Sequence, residues 1–118
     1  MLTRLAAQNA VTLFASWHSR FAAGVAPAKT WLADRRIERV AITWKEDVRH
    51  WHPGQEWIWA RGGFGVFDPG INALSILTEI VSEPLRLLEA ELETPSNRQA
   101  PIAAHLQMAT LSGAIVTA

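Results

Sequence analysis

The stretch VFDPGINALSILTEIV, residues 66–81, decides the fold because its pattern is that of one amphipathic helix. Asp68 is of a residue type preferred at helix N-caps, and Pro69 suits the first helical position. Five apolar residues then recur at helical spacing and form one stripe: Ala73, Leu74, Ile76, Leu77 and Ile80. We therefore expect a helix from Asp68 to about Val81 that packs one face against the rest of the domain.

Further helices and strands are expected before this helix. Apolar residues at helical spacing predict a helix over 19–33. Residues 36–46 alternate between apolar and polar side chains, which predicts a strand with Glu46 at the end of its apolar face. Towards the N-terminus, we expect the end of a helix over 2–8 and a β-like run over 11–14. The first half is thus a mixture of helices and strands.

After the helix, the chain is typical of an open sheet. Residues 86–93 alternate leucine or alanine with glutamate, which indicates a half-solvated strand. Residues 102–110 alternate again, and Ser112-Gly113 can turn the chain into a strand over 114–118. The sequence ends within that strand, so we expect it to expose a sheet edge at Ala118.

Length, charge and composition exclude several classes of protein. The 118 residues can form one hydrophobic core, and 11 basic residues balance 11 acidic ones. A net charge of zero gives no long-range attraction to nucleic acid, so no nucleic-acid partner is expected. Cysteine is absent, which fits a reducing compartment. No apolar run approaches the length of a membrane span, so we expect a cytoplasmic protein with no membrane partner.

Residues 43–77 gather the side chains that could carry chemistry. They contain four of the six tryptophans, two histidines, several carboxylates and a glycine-rich approach to the helix. Planar indole faces can stack on the C–H surfaces of a sugar, while carboxylate, amide and imidazole groups can hold its hydroxyls. The composition of this stretch favours a polyhydroxylated ligand.

Four motifs in this chain are similar to those of a known family. ASWHSR (15–20), WKEDVR (44–49), WHPGQ (51–55) and VFDPGIN (66–72) resemble sugar 1-dehydrogenases of the glucose-fructose oxidoreductase/inositol dehydrogenase (Gfo/Idh/MocA) family. The resemblance covers nearly the whole chain, from Thr12 to about Ala118.

This resemblance implies an α/β fold of a particular kind. Residues 1–18 would be the remnant of a nucleotide-binding Rossmann domain. Residues 19–118 would be a truncated C-terminal substrate domain, with an open mixed, largely antiparallel sheet and helices on one face. In the family, the missing part of the Rossmann domain carries the G-x-G-x-x-G turn that binds NAD or NADP. Gly63 and Gly65 lack the rest of that motif, so we interpret them as flexible loop positions and assign no cofactor-binding residue.

Asp68 and Asn72 are the candidate catalytic residues. They lie four residues apart at the start of one helix, so both side chains can reach one ligand. From the residues alone, capping is the commoner role for Asp68. The resemblance instead implies that Asp68 takes part in proton transfer at the anomeric hydroxyl and that Asn72 orients it. Asn72 stands where many relatives have histidine, and an amide cannot exchange a proton.

The other candidate substrate-binding residues are His18, Glu46, Trp51 and His52. Glu46 is expected on a buried strand face, where desolvation favours a protonated carboxyl group, with a salt bridge to Arg49 or a frayed strand end as the alternatives. His52 could be an ordinary turn residue. The resemblance makes Glu46, His18 and His52 contacts of the sugar and Trp51 an apolar wall. No metal site is assigned, and His50, Trp57, Trp59 and His105 are interpreted as packing or surface residues.

The resemblance therefore predicts an NAD(P)-dependent oxidoreductase. The intact protein would oxidise an aldose of the L-arabinose or D-galactose type at C1 to the lactone, and would form a homo-oligomer through its open sheet. This chain alone is expected to be inactive. The alternative hypothesis is a non-catalytic sugar-binding or oligomerisation module, since the family also contains members that bind ligands without turnover.

Overall fold

A computed structural model of the chain describes residues 1–118. The chain forms four helices, two short 3-10 turns at His18–Phe21 and Glu56–Trp59, and four strands. The helices are α1 (Leu2–Gln8), α2 (Val25–Leu32), α3 (Val48–Trp51) and α4 (Phe67–Ile80). The strands are β1 (Arg39–Ala41), β2 (Leu85–Glu93), β3 (Ala103–Thr110) and β4 (Ile115–Thr117). None of the helices is long and apolar enough to cross a bilayer.

The four strands form one open sheet in the order β1-β4-β3-β2. β1 pairs with β4 in parallel, and the other two pairings are antiparallel. Val116 of β4 lies between Val40 of β1 and Met108 of β3, which fixes the register at the centre of the sheet. The expected α/β fold with an open mixed, largely antiparallel sheet is confirmed.

Helix α4 covers one face of this sheet and supplies half of its core. Leu77 and Val81 from the helix segment pack against Met108 and Val116 from the sheet. Leu77 and Val116 are completely buried. Truncating such a leucine to alanine costs about 2–5 kcal/mol of stability, so the apolar stripe of α4 fixes the helix to the sheet.

The position of β4 in the sheet differs from the prediction. The strand was expected to expose an edge at Ala118, but it is interior and bonded on both sides. Ile42 N donates to Thr117 O at 2.9 Å, and Ala118 and Leu106 exchange two backbone hydrogen bonds of 3.0 and 2.8 Å. The edges of the sheet are β1 and β2 instead. The prediction missed this arrangement because alternation within one strand does not reveal which strand it pairs with, and β4 pairs in parallel with the distant β1.

Three predicted elements are shorter than expected or absent. Residues 11–14 form no strand, and only Arg39–Ala41 of the strand predicted over 36–46 pairs with a neighbour. The helix predicted over 19–33 is broken by Ala22, whose extended backbone separates the first 3-10 turn from α2. A strand persists only where a partner offers hydrogen bonds, so these limits are set by tertiary pairing.

Helix α4 begins two residues earlier than the N-cap prediction required. Val66 occupies the N-cap position and Phe67 is the first helical residue, so Asp68 lies within the first turn and does not cap the helix. The predicted role of Asp68 as the N-cap is therefore wrong. Its carboxylate still lies at the positive end of the helix dipole, where negative charge is favoured.

Candidate active site

A contact between His52 and Asp68 lies at the centre of the candidate site. His52 directly follows α3, and its backbone N–H donates to the oxygen of Val48, the first residue of that helix, at 2.8 Å. Asp68 projects from the first turn of α4. The imidazole Nε2 and the carboxylate Oδ2 are 2.8 Å apart, and both side chains are about one-third exposed. The pair is thus hydrogen-bonded and reachable by a ligand, so a proton can pass between its two members.

A cavity of about 290 Å³ opens at this pair, close to the lower end of the range for small-molecule sites. Three polar side chains line it, those of Glu46, His52 and Asp68. Its walls are mainly apolar and are formed by Val48, Ile58, Trp59, Gly65, Val66, Pro69 and Ile102. Apolar walls with a few convergent polar groups are the usual composition of a site for a small organic ligand.

A second, more polar cavity of about 510 Å³ adjoins the first. The two cavities share four residues: Val48, His52, Trp59 and Ile102. Amide side chains of Gln55 and Asn97 line the second cavity, and Arg98 donates to Glu56 at 2.5 Å beside it. His52 therefore lies at the boundary between an inner cavity containing Asp68 and an outer one.

Two glycines allow the loop before α4 to present Asp68. A Cβ atom on Gly65, which has φ of 51°, would lie 2.5 Å from Pro101 O. A Cβ atom on Gly63 would lie 2.3 Å from Trp57 O. Both contacts are too close for any other residue, so the interpretation of these glycines as flexible positions is wrong. They permit backbone segments to pack tightly around the start of α4.

Asn72 is held by hydrogen bonds on both sides of its amide. Ser19 Oγ donates to Asn72 Oδ1 at 2.6 Å, and Asn72 Nδ2 donates to the backbone oxygen of Asp68 at 3.2 Å. His18 is exposed, and its Nδ1 lies 3.4 Å from Ser19 Oγ. The structure thus brings His18, Asn72 and Asp68 into one hydrogen-bonded group through Ser19. Sequence reasoning did not select Ser19, although it stands within the motif ASWHSR.

Glu46 reaches the inner cavity, but not from a buried strand face. The strand ends at Ala41, and Glu46 is exposed and accepts a hydrogen bond from Trp44 Nε1 at 2.5 Å. The expected burial of this carboxyl group is wrong. The alternative salt bridge with Arg49 is also wrong, because Arg49 pairs with Asp47 at 2.9 Å. The other alternative, a frayed strand end, agrees with the exposed position of Glu46 beyond the last strand residue.

Asp47 stabilises the start of α3, the helix that leads to His52. Its side chain accepts from the backbone N–H of Arg49 at 3.0 Å and from the Arg49 guanidinium. These hydrogen bonds hold the pKa of Asp47 below its ordinary value and raise the pKa of Arg49. Both groups are therefore charged at neutral pH and form a local clamp.

The tryptophans are arranged differently from the prediction. Trp51 is 61% exposed, contacts His50 edge-on with ring centroids 4.9 Å apart, and does not line either cavity. Trp59, interpreted from sequence as a packing or surface residue, is half-buried and lines both. Trp57 packs edge-on against Phe64 at 5.2 Å, outside the cavities. The apolar wall is therefore built by Trp59, because the second 3-10 turn ends at this residue and places it with His52 in the lining of both cavities.

An ion-pair cluster fixes the segment that carries His18 and Ser19 to α4. Glu79 accepts from Arg20 and, at 2.6 Å, from Lys29. The two hydrogen bonds, that of Lys29 first, lower the pKa of Glu79. This cluster ties the first 3-10 turn and α2 to the helix that bears Asp68 and Asn72.

The fold and the site together are those of an α/β protein with a small-molecule cavity at one end of a helix packed on an open sheet. A comparison with profiles of known protein families finds no match. Individual proteins do match. A galactose 1-dehydrogenase of Pseudomonas fluorescens is 58% identical over 88 residues, which is 75% of this chain and 29% of that protein.

A solved structure is similar over almost the whole chain. The crystal structure of a D-galactose-1-dehydrogenase from Rhizobium etli superposes with a TM-score of 0.87 and 54% identity, covering 98% of this chain and 38% of that one. This chain spans less than half the length of both relatives. Over the matched segment it is homologous to galactose 1-dehydrogenases, which confirms the resemblance to sugar 1-dehydrogenases drawn from its motifs.

Proposed function

We propose that this chain forms the sugar-binding and proton-transfer part of an enzyme that oxidises an aldose at C1 to the lactone. The observation that carries the proposal is the hydrogen bond of 2.8 Å between His52 and Asp68 at a cavity of small-molecule size. The homology to galactose 1-dehydrogenases supports D-galactose as the first sugar to test. The resemblance of the motifs adds L-arabinose as the second.

In this proposal, Asp68 accepts the proton of the C1 hydroxyl group, and the C1 hydride would pass to a nicotinamide nucleotide bound elsewhere in the intact enzyme. A carboxylate within hydrogen-bond reach of the hydroxyl is a suitable general base, and transfer of this kind accelerates a reaction by about 10²–10⁴-fold. The proton can then pass to His52, which contacts Asp68 on one side and the outer cavity on the other. Glu46 and Trp59 bind and orient the sugar in the inner cavity.

The residues described here do not fit the nucleotide that such an oxidation requires. A dinucleotide site needs glycines that leave room for a pyrophosphate beside a helix N-terminus. The space at Gly63 and Gly65 is filled by the carbonyl oxygens of Trp57 and Pro101, and the first turn of α4 carries the Asp68 carboxylate. We therefore assign neither NAD nor NADP to residues 1–118, and we expect calorimetric titration of this chain with either to give no heat of binding.

A hybrid enzyme tests the proposed function. The hybrid is the Rhizobium etli D-galactose-1-dehydrogenase in which residues 1–118 of the present chain replace the segment that they match. We expect it to reduce NAD or NADP in the presence of D-galactose, measured by absorbance of the reduced nucleotide. A folded hybrid that binds D-galactose without turnover would contradict the proposed catalytic role of the chain and would favour a non-catalytic sugar-binding module.

A further inference from the structure

Ser19 is a buried polar residue that no part of the proposed chemistry uses. Only 6% of it is exposed, and its hydroxyl joins the first 3-10 turn to α4 across 53 residues of sequence. The contact with Asn72 Oδ1, at 2.6 Å, is short for a hydroxyl donor. A buried hydroxyl that is committed to one side-chain amide can determine how that amide is oriented.

The hydrogen bonds around Asn72 permit only one orientation of its amide group. Nδ2 faces the backbone oxygen of Asp68, which can only accept a hydrogen bond. Rotating the amide by half a turn would place Oδ1 against that oxygen and leave two acceptors facing each other. The Asp68 oxygen thus selects the orientation, and Ser19 holds the amide in it by donating its hydrogen to Oδ1. It follows that His18 Nδ1 is the donor in its longer contact of 3.4 Å with the same hydroxyl.

We propose that Ser19 is a positioning residue of the sugar site, which acts by holding the Asn72 amide so that Nδ2 is presented to the ligand. This inference rests on the proposed function. Asp68 lines the inner cavity and Asn72 does not, but the two lie four residues apart on one face of α4, so we place the ligand hydroxyl group at the cavity rim between them. An N–H of Asn72 donates to the hydroxyl oxygen, while the carboxylate of Asp68 accepts the hydroxyl hydrogen. Donor and acceptor are then complementary, and Ser19 keeps them so.

The test uses the 118-residue chain and two NMR measurements. The first follows the ¹H–¹⁵N signals of the Asn72 Nδ2 hydrogens in the chain with and without Ser19→Ala. We expect the substitution to move these signals and to accelerate their exchange with water. The second measures D-galactose affinity by titration, which we expect Ser19→Ala to weaken about fivefold, the value of one hydrogen bond.

A double-mutant cycle separates positioning from a general structural role. If Ser19 acts through Asn72, Ser19→Ala changes the affinity by less than about twofold when Asn72→Ala is already present. Ser75→Ala is the matched control, because Ser75 is also buried but donates to the backbone oxygen of Asn72 at 2.8 Å. We expect it to leave the affinity unchanged.

The outcomes distinguish this inference from the proposed function. Equal weakening by Ser19→Ala in both backgrounds, or equal weakening by Ser75→Ala, overturns the positioning role. Unchanged Asn72 signals in the Ser19→Ala chain also overturn it. If the wild-type chain binds no D-galactose, the proposed sugar assignment fails, and the Asn72 signals alone then decide whether Ser19 orients the amide.

Discussion

His52 Nε2 and Asp68 Oδ2 lie 2.8 Å apart although 16 residues separate them in the sequence. The turn after α3 and the first turn of α4 bring them together, and the tight backbone contacts of Gly63 and Gly65 hold the intervening loop in place. The pair belongs to the inner cavity, and His52 also belongs to the outer one. A carboxylate in contact with both a ligand cavity and an imidazole is suited to receive a proton and pass it on.

Replacing the Asp68 carboxylate by an amide should affect turnover far more than sugar binding. In the hybrid enzyme, Asp68→Asn is expected to lower kcat by about 100-fold or more, because an amide of the same shape accepts no proton. KM for D-galactose should change little, since the amide still offers hydrogen bonds. Steady-state kinetics at varied D-galactose concentration provide the measurement.

Asp34→Asn is the matched control for this substitution. Asp34 is exposed and lies in the segment after α2, away from both cavities of the site. The kcat of the hybrid with Asp34→Asn should equal that of the unsubstituted hybrid. An Asp68→Asn hybrid with the same kcat would show that Asp68 only supports the helix terminus.

The two tryptophans nearest His52 should differ in their effect on sugar affinity. Trp59→Ala is expected to raise KM for D-galactose about tenfold, because Trp59 lines the cavity and loses an aromatic face worth ~1.5 kcal/mol. Trp51→Ala should change KM by less than about twofold, because Trp51 is exposed and lines neither cavity. A larger effect from Trp51→Ala would restore the wall predicted from sequence.

The stability of the chain should depend on pH through Glu79. Its pKa is lowered in the folded chain by hydrogen bonds from Lys29 and Arg20, so the unfolded chain binds a proton more readily. The stabilisation is present above the unfolded pKa of about 4.3 and is lost as the pH falls through the lower folded pKa. Chemical denaturation should find Glu79→Gln less stable than wild type at pH 7.

The difference between the two chains should shrink below about pH 4, because Glu79 is protonated in the unfolded wild-type chain before it is protonated in the folded one. Glu89→Gln serves as the control, because Glu89 is exposed on β2 and forms no ion pair. A difference that stays constant down to pH 2 would assign the effect of Glu79→Gln to packing rather than to charge.

The exposed leucines of β2 should promote self-association through the sheet. Leu87, Leu88 and Leu92 are 56%, 43% and 59% exposed, and β2 is an unpaired edge of the sheet. Leu92→Lys is expected to lower the apparent mass in analytical ultracentrifugation, because lysine on an edge strand opposes pairing between chains. Leu111→Lys is the control, since Leu111 is 77% exposed but lies in the turn after β3. Equal effects of both would argue against association through β2.

Local patterns predicted the second half of the chain well. The stripe of α4 and the alternation of β2 and β3 were sufficient to place these elements within one or two residues. α4 and β2 are the two longest regular elements, and β3 pairs with β2 along its whole length, so the pattern within each one agrees with its tertiary pairing. Helix α1, predicted over 2–8, is also confirmed.

The site was predicted less well than the second half of the chain, because it is formed by contacts between segments that are distant in sequence, and no local pattern reveals such contacts. Glu46 was assigned to a strand face because alternation continues to that residue, but pairing with β4 ends near Ile42. Trp59 and Ser19 were missed because their places in the site follow from turns and from packing on α4. Asp68 was expected to cap the helix, whereas His52, distant in sequence, is its partner.

The central place of β4 has a consequence for the order of events during synthesis. Arg39 pairs with Ile115, so β1 lacks its pairing strand, and the core residue Leu77 lacks one of its two neighbours on the sheet, until Val116 has left the ribosome. Pairing between such distant segments forms slowly, because a long loop must close first. The helices can form while the chain is still growing, but the sheet on which α4, the helix that bears Asp68, packs is completed only afterwards. A pause in translation before Ile115 would therefore leave a nascent chain with an exposed apolar helix face.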